Sequence, residues 1–109
     1  MDIEKQLEVI DLAKRLEDFD YRFKPQIYAA VKDIGTIDFG DGNWDFLEDW
    51  RYMRVNMYVE ALRDNQKFIP KIVEHLENDY QIVLTHAPCL ISVLEEIRGL
   101  INDVLSILE

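Results

Sequence analysis

His75 and Asp79 stand four residues apart in this 109-residue chain, with Glu74 and Glu77 beside them, and on a helix that spacing puts two metal-ligating groups on one face. Two ligands do not make a site. A structural centre needs about four, and the one other histidine is His86, so the expectation for His75 and Asp79 is an exposed, solvated helix face. His86 and Cys89 offer a different chemistry, an imidazole base three residues before a thiol. Both fall in one short turn, without an orienting acid or an oxyanion-hole motif, and a buried cysteine ordinarily serves as a small hydrophobe. An enzyme built on His75, His86 or Cys89, such as a small helical hydrolase or nuclease, is therefore the third-ranked class of function. The leading expectation is no catalytic residue, no bound metal and no cofactor.

Two further motifs fail on context. Asp38-Phe39-Gly40 spells a kinase triplet, but 109 residues leave no room for two lobes, and neither a glycine-rich loop nor a lysine-bearing strand accompanies it. A calcium loop with Gly42 at its sixth position would put Ile37 and Phe39 where the first two acidic ligands belong.

The segment best suited to binding is the one in which Asp38, Asp41, Asp45, Glu48 and Asp49 interleave with Phe39, Trp44, Phe46 and Trp50. Interfaces favour large aromatics as anchors, and carboxylates around them steer a basic partner. Asp38, Phe39, Asp41, Trp44, Asp45, Glu48 and Asp49 are accordingly the candidate partner-binding residues. The competing expectation is a capped helix whose aromatics all turn inward. Arg54, projected onto the apolar side of the same helix with Arg51 about one turn earlier, is expected to be buried in a salt bridge with an acid from another helix.

These residues need elements to hold them, and composition bounds what those are. Hydrophobic residues make up 49% and aromatics 11%, with four Gly and three Pro, which suits one folded domain spanning residues 1–109. Twenty-two acids against 12 bases give a net charge of −10, which repels phosphate backbones and anionic lipid headgroups and attracts a basic protein surface. Direct nucleic-acid or membrane binding is disfavoured. A single cysteine, apolar runs of only a few residues, and an opening Met-Asp-Ile-Glu without a signal-like segment place the chain in the cytoplasm.

Periodicity predicts helices throughout. The first runs from Ile3 to about Phe19, with Ile3, Leu7, Ile10, Ala13 and Leu16 as its apolar side and Glu4, Glu8, Asp11, Arg15 and Asp18 facing solvent. A second is expected from Pro25 to about Ile34, capped by Gly35, and a loop over Thr36–Asn43 leads to a third from Trp44 to about Arg63. That third helix carries apolar residues nearly all round, so it lies centrally or contacts something besides its own core. A fourth covers Ile69 to about Leu84, with a short extended piece over Tyr80–Thr85 as the alternative. Pro88 is expected to open the last, whose core row is Leu90, Leu94, Ile97, Ile101, Val104 and Leu108, joined by Val93, Leu100 and Ile107.

The sum is an all-α chain, a compact antiparallel bundle of four to five helices. Its charge and aromatic-acidic segment point to a small acidic intracellular protein-binding protein: an inhibitor, immunity protein, antitoxin or adaptor that occludes a basic surface on another protein. The alternative is a structural or scaffolding subunit that homodimerises through the aromatic-rich third helix.

Overall fold

The computed structural model of the protein describes residues 3–23, 25 and 53–108, and among them every regular element is helical, with no strand. The α1 helix is Ile3–Arg22; α2 is Val55–Val59 and runs on into a π turn, Glu60–Asp64, and a 3-10 turn, Gln66–Phe68; α3 is Ile69–His86 and α4 is Ile91–Ser106. Contacts link α1 to α2 and α4, and α3 to α4. The all-α class read from the periodicity is borne out, and a helical bundle is consistent with these contacts. Apart from Pro25, the expected second helix, the loop over Thr36–Asn43 and the first part of the third helix lie outside the described residues.

In α1 the buried side is only in part the one expected, including Ala13 and Leu16 but not Ile3, Leu7 or Ile10. Val9, Leu12, Ala13, Leu16 and Phe19 form it, while Ile3, Leu7 and Ile10 remain 75%, 61% and 36% exposed. The reason is angular. Two successive three-residue steps, Ile10 to Ala13 to Leu16, each turn the row back by ~60°, so Leu7 and Leu16 end up on opposite faces. The expected solvent row, Glu4, Glu8, Asp11, Arg15 and Asp18, is exposed as read. The helix also continues to Arg22, past its expected end at Phe19. Arg22 pairs one turn back with Asp18, lies 4.4 Å over the Phe23 ring and reaches Glu96 at 3.0 Å, a cation placed where the helix dipole favours it.

No helix runs unbroken from Trp44 to Arg63. Arg54 is extended, with φ −85° and ψ 161°, and the helix begins at Val55. Arg54 is exposed rather than buried, and among the described residues no salt bridge engages it, so that expectation is overturned: the position projected onto the apolar face of a continuous helix precedes the helix instead. Val55 has no side-chain N-cap from its own helix. Its N–H donates instead to Oε2 of Glu17 at 2.9 Å, so a carboxylate of α1 satisfies a donor at the positive end of α2.

The α3 helix starts with Pro70 in its first turn and stays helical through Tyr80–Thr85, which excludes the extended alternative. The α4 helix opens at Ile91 rather than Pro88. Pro88 and Cys89 form the turn after α3, closed by Leu90 N–H donating to the Ala87 carbonyl at 3.0 Å. The deepest row of α4 is Val93, Ile97, Leu100, Val104 and Ile107; Leu94 and Ile101 are half-buried, and Leu90 and Leu108, expected in the core, are exposed. The core row is therefore centred on the residues read as its margin. Together the buried residues of α1, α2, α3 and α4 form one connected cluster. Among the described residues no helix is long and apolar enough to cross a membrane.

Leu16→Ala should cost about 2–5 kcal/mol, because Leu16 is 1% exposed, while Leu7→Ala should stay within about 0.5 kcal/mol. Urea unfolding of the two variants checks this, and equal losses would mean that α1 buries the other face.

Candidate functional site

The expected partner-binding residues, Asp38, Phe39, Asp41, Trp44, Asp45, Glu48 and Asp49, lie outside the described residues. His86 is half-buried at the end of α3, and Cys89 is a free, exposed thiol in the turn that follows. Among the described residues no group of three or more His, Cys, Asp and Glu side chains is placed to hold a metal ion.

His75 and Asp79 are where the structure departs most from expectation. Each is 2% exposed, not on a solvated face. The signal was in the spacing: Ile72, His75, Leu76, Asp79, Ile82 and Val83 follow the core rhythm of α3, and the polar types of two of them masked it. Their side chains approach at 3.9 Å, from His75 Nε2 to Asp79 Oδ2. A third buried polar residue, Asp20, sits at the end of α1 just past the helix end expected at Phe19, and the sequence reading missed it. It lies one turn beyond Leu16 on the same buried face.

Across from Asp20 stands Tyr58 of α2, also 2% exposed, whose hydroxyl donates to Asp20 Oδ2 at 2.5 Å. Burial pushes the Tyr58 phenol well above its ordinary pKa, reinforced by the charge of Asp20, the hydrogen bond to it, and the charges of Asp79 and Glu17. Carboxylates from α1 and α3 thus converge on one phenol that stays protonated and acts as a donor. Buried charge needs such partners, since an unmatched carboxylate in the interior costs several kcal/mol. The Tyr58–Asp20 bond can fix the register of α1 against α2. Closed from solvent, it does not present a reactive group to a substrate.

The accessible chemistry lies on the outer side of α1. Ile3, Leu7 and Ile10 are each followed by an acid, Glu4, Glu8 and Asp11, so an uncovered apolar row runs beside a carboxylate row at the same spacing. Lys5 and Lys14 flank this row; Arg15 Nη1 binds Asp103 Oδ2 at 2.7 Å, and Arg22, farther along α1, binds Glu96 and Asp18. Among the described residues no ion pair engages Glu4, Glu8 or Asp11. Between α1 and α4 opens a cleft of about 280 Å³, with Glu8, Asp11 and Asp103 on its walls and Leu12 and Ile107 among its lining.

Tyr58→Phe should lower stability by about 1.5–3 kcal/mol at neutral pH, because the buried Asp20 carboxylate loses a donor. Its pH dependence has a definite sign. The Tyr58 pKa is raised in the folded state, so above pH ~10 the unfolded chain sheds a phenolic proton that the folded chain keeps, and stability falls with rising pH by up to about 1.4 kcal/mol per unit. Urea midpoints of wild type and Tyr58→Phe between pH 9 and 11 should show the steeper alkaline loss in wild type, and parallel slopes would refute the assignment. No family model matches the chain, and no curated protein or solved structure matches it, so any functional reading rests on the chemistry of these residues.

Proposed function

We propose that the protein is a small acidic protein-binding protein, an inhibitor, immunity protein, antitoxin or adaptor of the cytoplasm, which covers a basic surface on another protein and works by binding rather than catalysis. The observation that supports this reading best is the row of exposed carboxylates Glu4, Glu8 and Asp11, unengaged by ion pairs among the described residues, on a chain of net charge −10. Such a surface accelerates encounter with a cationic partner and repels polyanions. On sequence grounds alone, the segment Asp38, Phe39, Asp41, Trp44, Asp45, Glu48 and Asp49 offers further acids interleaved with aromatic anchors.

An antiparallel bundle of four to five helices is the scaffold in this proposal. Its support is the order of the ion pairs: Arg15 meets Asp103 and Arg22 meets Glu96, so advancing along α1 means retreating along α4. The second reading, a scaffolding subunit that homodimerises through the third helix, draws on Met57, which is 51% exposed on α2.

The test is capture of partners from native cytosol at low and at about 0.5 M salt, with wild type and an Asp45→Lys/Glu48→Lys variant, and ranking of the recovered proteins by positive charge. Basic proteins should be held at low salt, released at high salt, and lost from the variant. Recovery that ignores salt would remove the electrostatic mechanism, and a tight dimer in sedimentation equilibrium would favour the scaffolding reading.

A further inference from the structure

We infer that the outer face of α1, together with the cleft it forms with α4, is a docking surface for a basic amphipathic helix of a partner protein. The inference rests on the proposed acidic-binder reading and adds to it the surface and the shape of what that surface takes.

The argument starts from the register. Ile3, Leu7 and Ile10 are spaced by four and three, so they line one face over about two turns, roughly 10 Å. Each precedes a carboxylate, which places Glu4, Glu8 and Asp11 in a second row turned by ~100°. A surface of this kind is complementary to a helix whose apolar residues repeat at the same spacing with Lys or Arg along one flank. The apolar row supplies burial, and the carboxylate row fixes which way the partner lies across it.

The cleft extends the carboxylate row toward α4. A Lys or Arg of the partner can lay its aliphatic stem along Leu12 and Ile107 and bring its charged head among Glu8, Asp11 and Asp103. Arg15 already neutralises one of these charges through its 2.7 Å pair with Asp103, which leaves net negative charge for the incoming cation.

Other occupants fit worse. A second copy of the chain would bring the same carboxylate row and another net charge of −10. A nucleic acid or an anionic bilayer would meet Glu4, Glu8 and Asp11 with phosphate. The cationic helix alone satisfies both rows.

The test uses the full chain and two synthetic 18-residue peptides with identical leucine positions at helical spacing, one filled with lysine and the other with glutamate. Binding is read by fluorescence anisotropy, and the site by amide chemical shifts. The lysine peptide should bind, shift amides in 3–15 and 103–107, and lose affinity at least about ten-fold against Leu7→Ser and against Glu8→Lys/Asp11→Lys, with Glu74→Lys/Glu77→Lys, exposed on α3, within about two-fold of wild type. Leu7→Ser should keep the wild-type melting midpoint, since Leu7 is 61% exposed.

If the lysine peptide binds but only Asp45→Lys/Glu48→Lys weakens it, the acidic-binder reading stands and this surface does not. Absence of any lysine-peptide binding overturns the inference, while partner capture from cytosol judges the broader reading separately. Equal binding of both peptides, a dimer that dissociates on Leu7→Ser, or a melting midpoint lowered by Leu7→Ser each overturn it as well, the last by showing that this face is covered within the chain itself.

Discussion

Burying the Asp20 carboxylate with Tyr58 as its donor constrains α1 more tightly than its apolar contacts do. Leucine and isoleucine tolerate small rotations, because their attraction is nearly isotropic and neighbours repack. A hydroxyl 2.5 Å from a carboxylate does not, since the bond weakens steeply with angle and a displaced buried charge costs several kcal/mol. A slip of α1 by one residue would turn Asp20 through ~100° and strand it. The same helix also sends Glu17 to the first N–H of α2, so two carboxylates three residues apart tie α1 to the start and the first turn of that helix. The charge of Asp79 on α3 adds to that of Asp20 in keeping the Tyr58 phenol protonated.

This constraint decides which face of α1 is left outside. With Asp20 directed inward, Leu16, Leu12 and Val9 follow on the same side, and Ile3, Leu7 and Ile10 turn away. A sequence reading that weighs hydrophobicity alone prefers the opposite choice for the first ten residues, since isoleucine and leucine bury more favourably than a carboxylate. The preference for Ile3, Leu7 and Ile10 fails because burial of Asp20 is coupled to a partner far along the chain, Tyr58, which no local pattern reveals. The helices themselves were legible: the starts of α1 and α3, their extent to within a few residues, and the outward acid row of α1 all follow from periodicity.

What the spacing could not convey was the chemistry of polar residues in core positions. His75 and Asp79 obey the rhythm of α3 as strictly as Ile72 and Leu76 do, and only their polarity suggested exposure. Arg54 is the converse case. Its projected place on an apolar face presumed an unbroken helix, whereas the backbone is extended there and Glu17 supplies the cap from another helix. In α4 Glu96 and Asp103 lie off the core row, yet both turn toward α1 and meet Arg22 and Arg15. A long-range ion pair leaves no trace in a single-sequence pattern. The candidate binding segment, Asp38 to Asp49, was visible only as composition, aromatics interleaved with acids, and lies outside the described residues.

Those ion pairs bear on function through what they remove. Exposed pairs such as Arg15 with Asp103 contribute little to stability, about 0–1 kcal/mol, so their larger effect is on the surface field. Lys5 and Lys14 flank the acid row of α1, and Arg15, one turn beyond Asp11, reaches across to Asp103 of α4. Had Arg15 folded back over Asp11 instead, this face would carry one negative charge fewer. Held as it is, it leaves Glu4, Glu8 and Asp11 as negative charge beside exposed apolar residues. Carboxylates within one Debye length, ~8 Å at physiological salt, act on an approaching charge as a group. The field beside the face that the Asp20 contact excludes from the core is therefore negative, and in the proposed docking a cationic helix would meet that charge where its apolar side has something to bury.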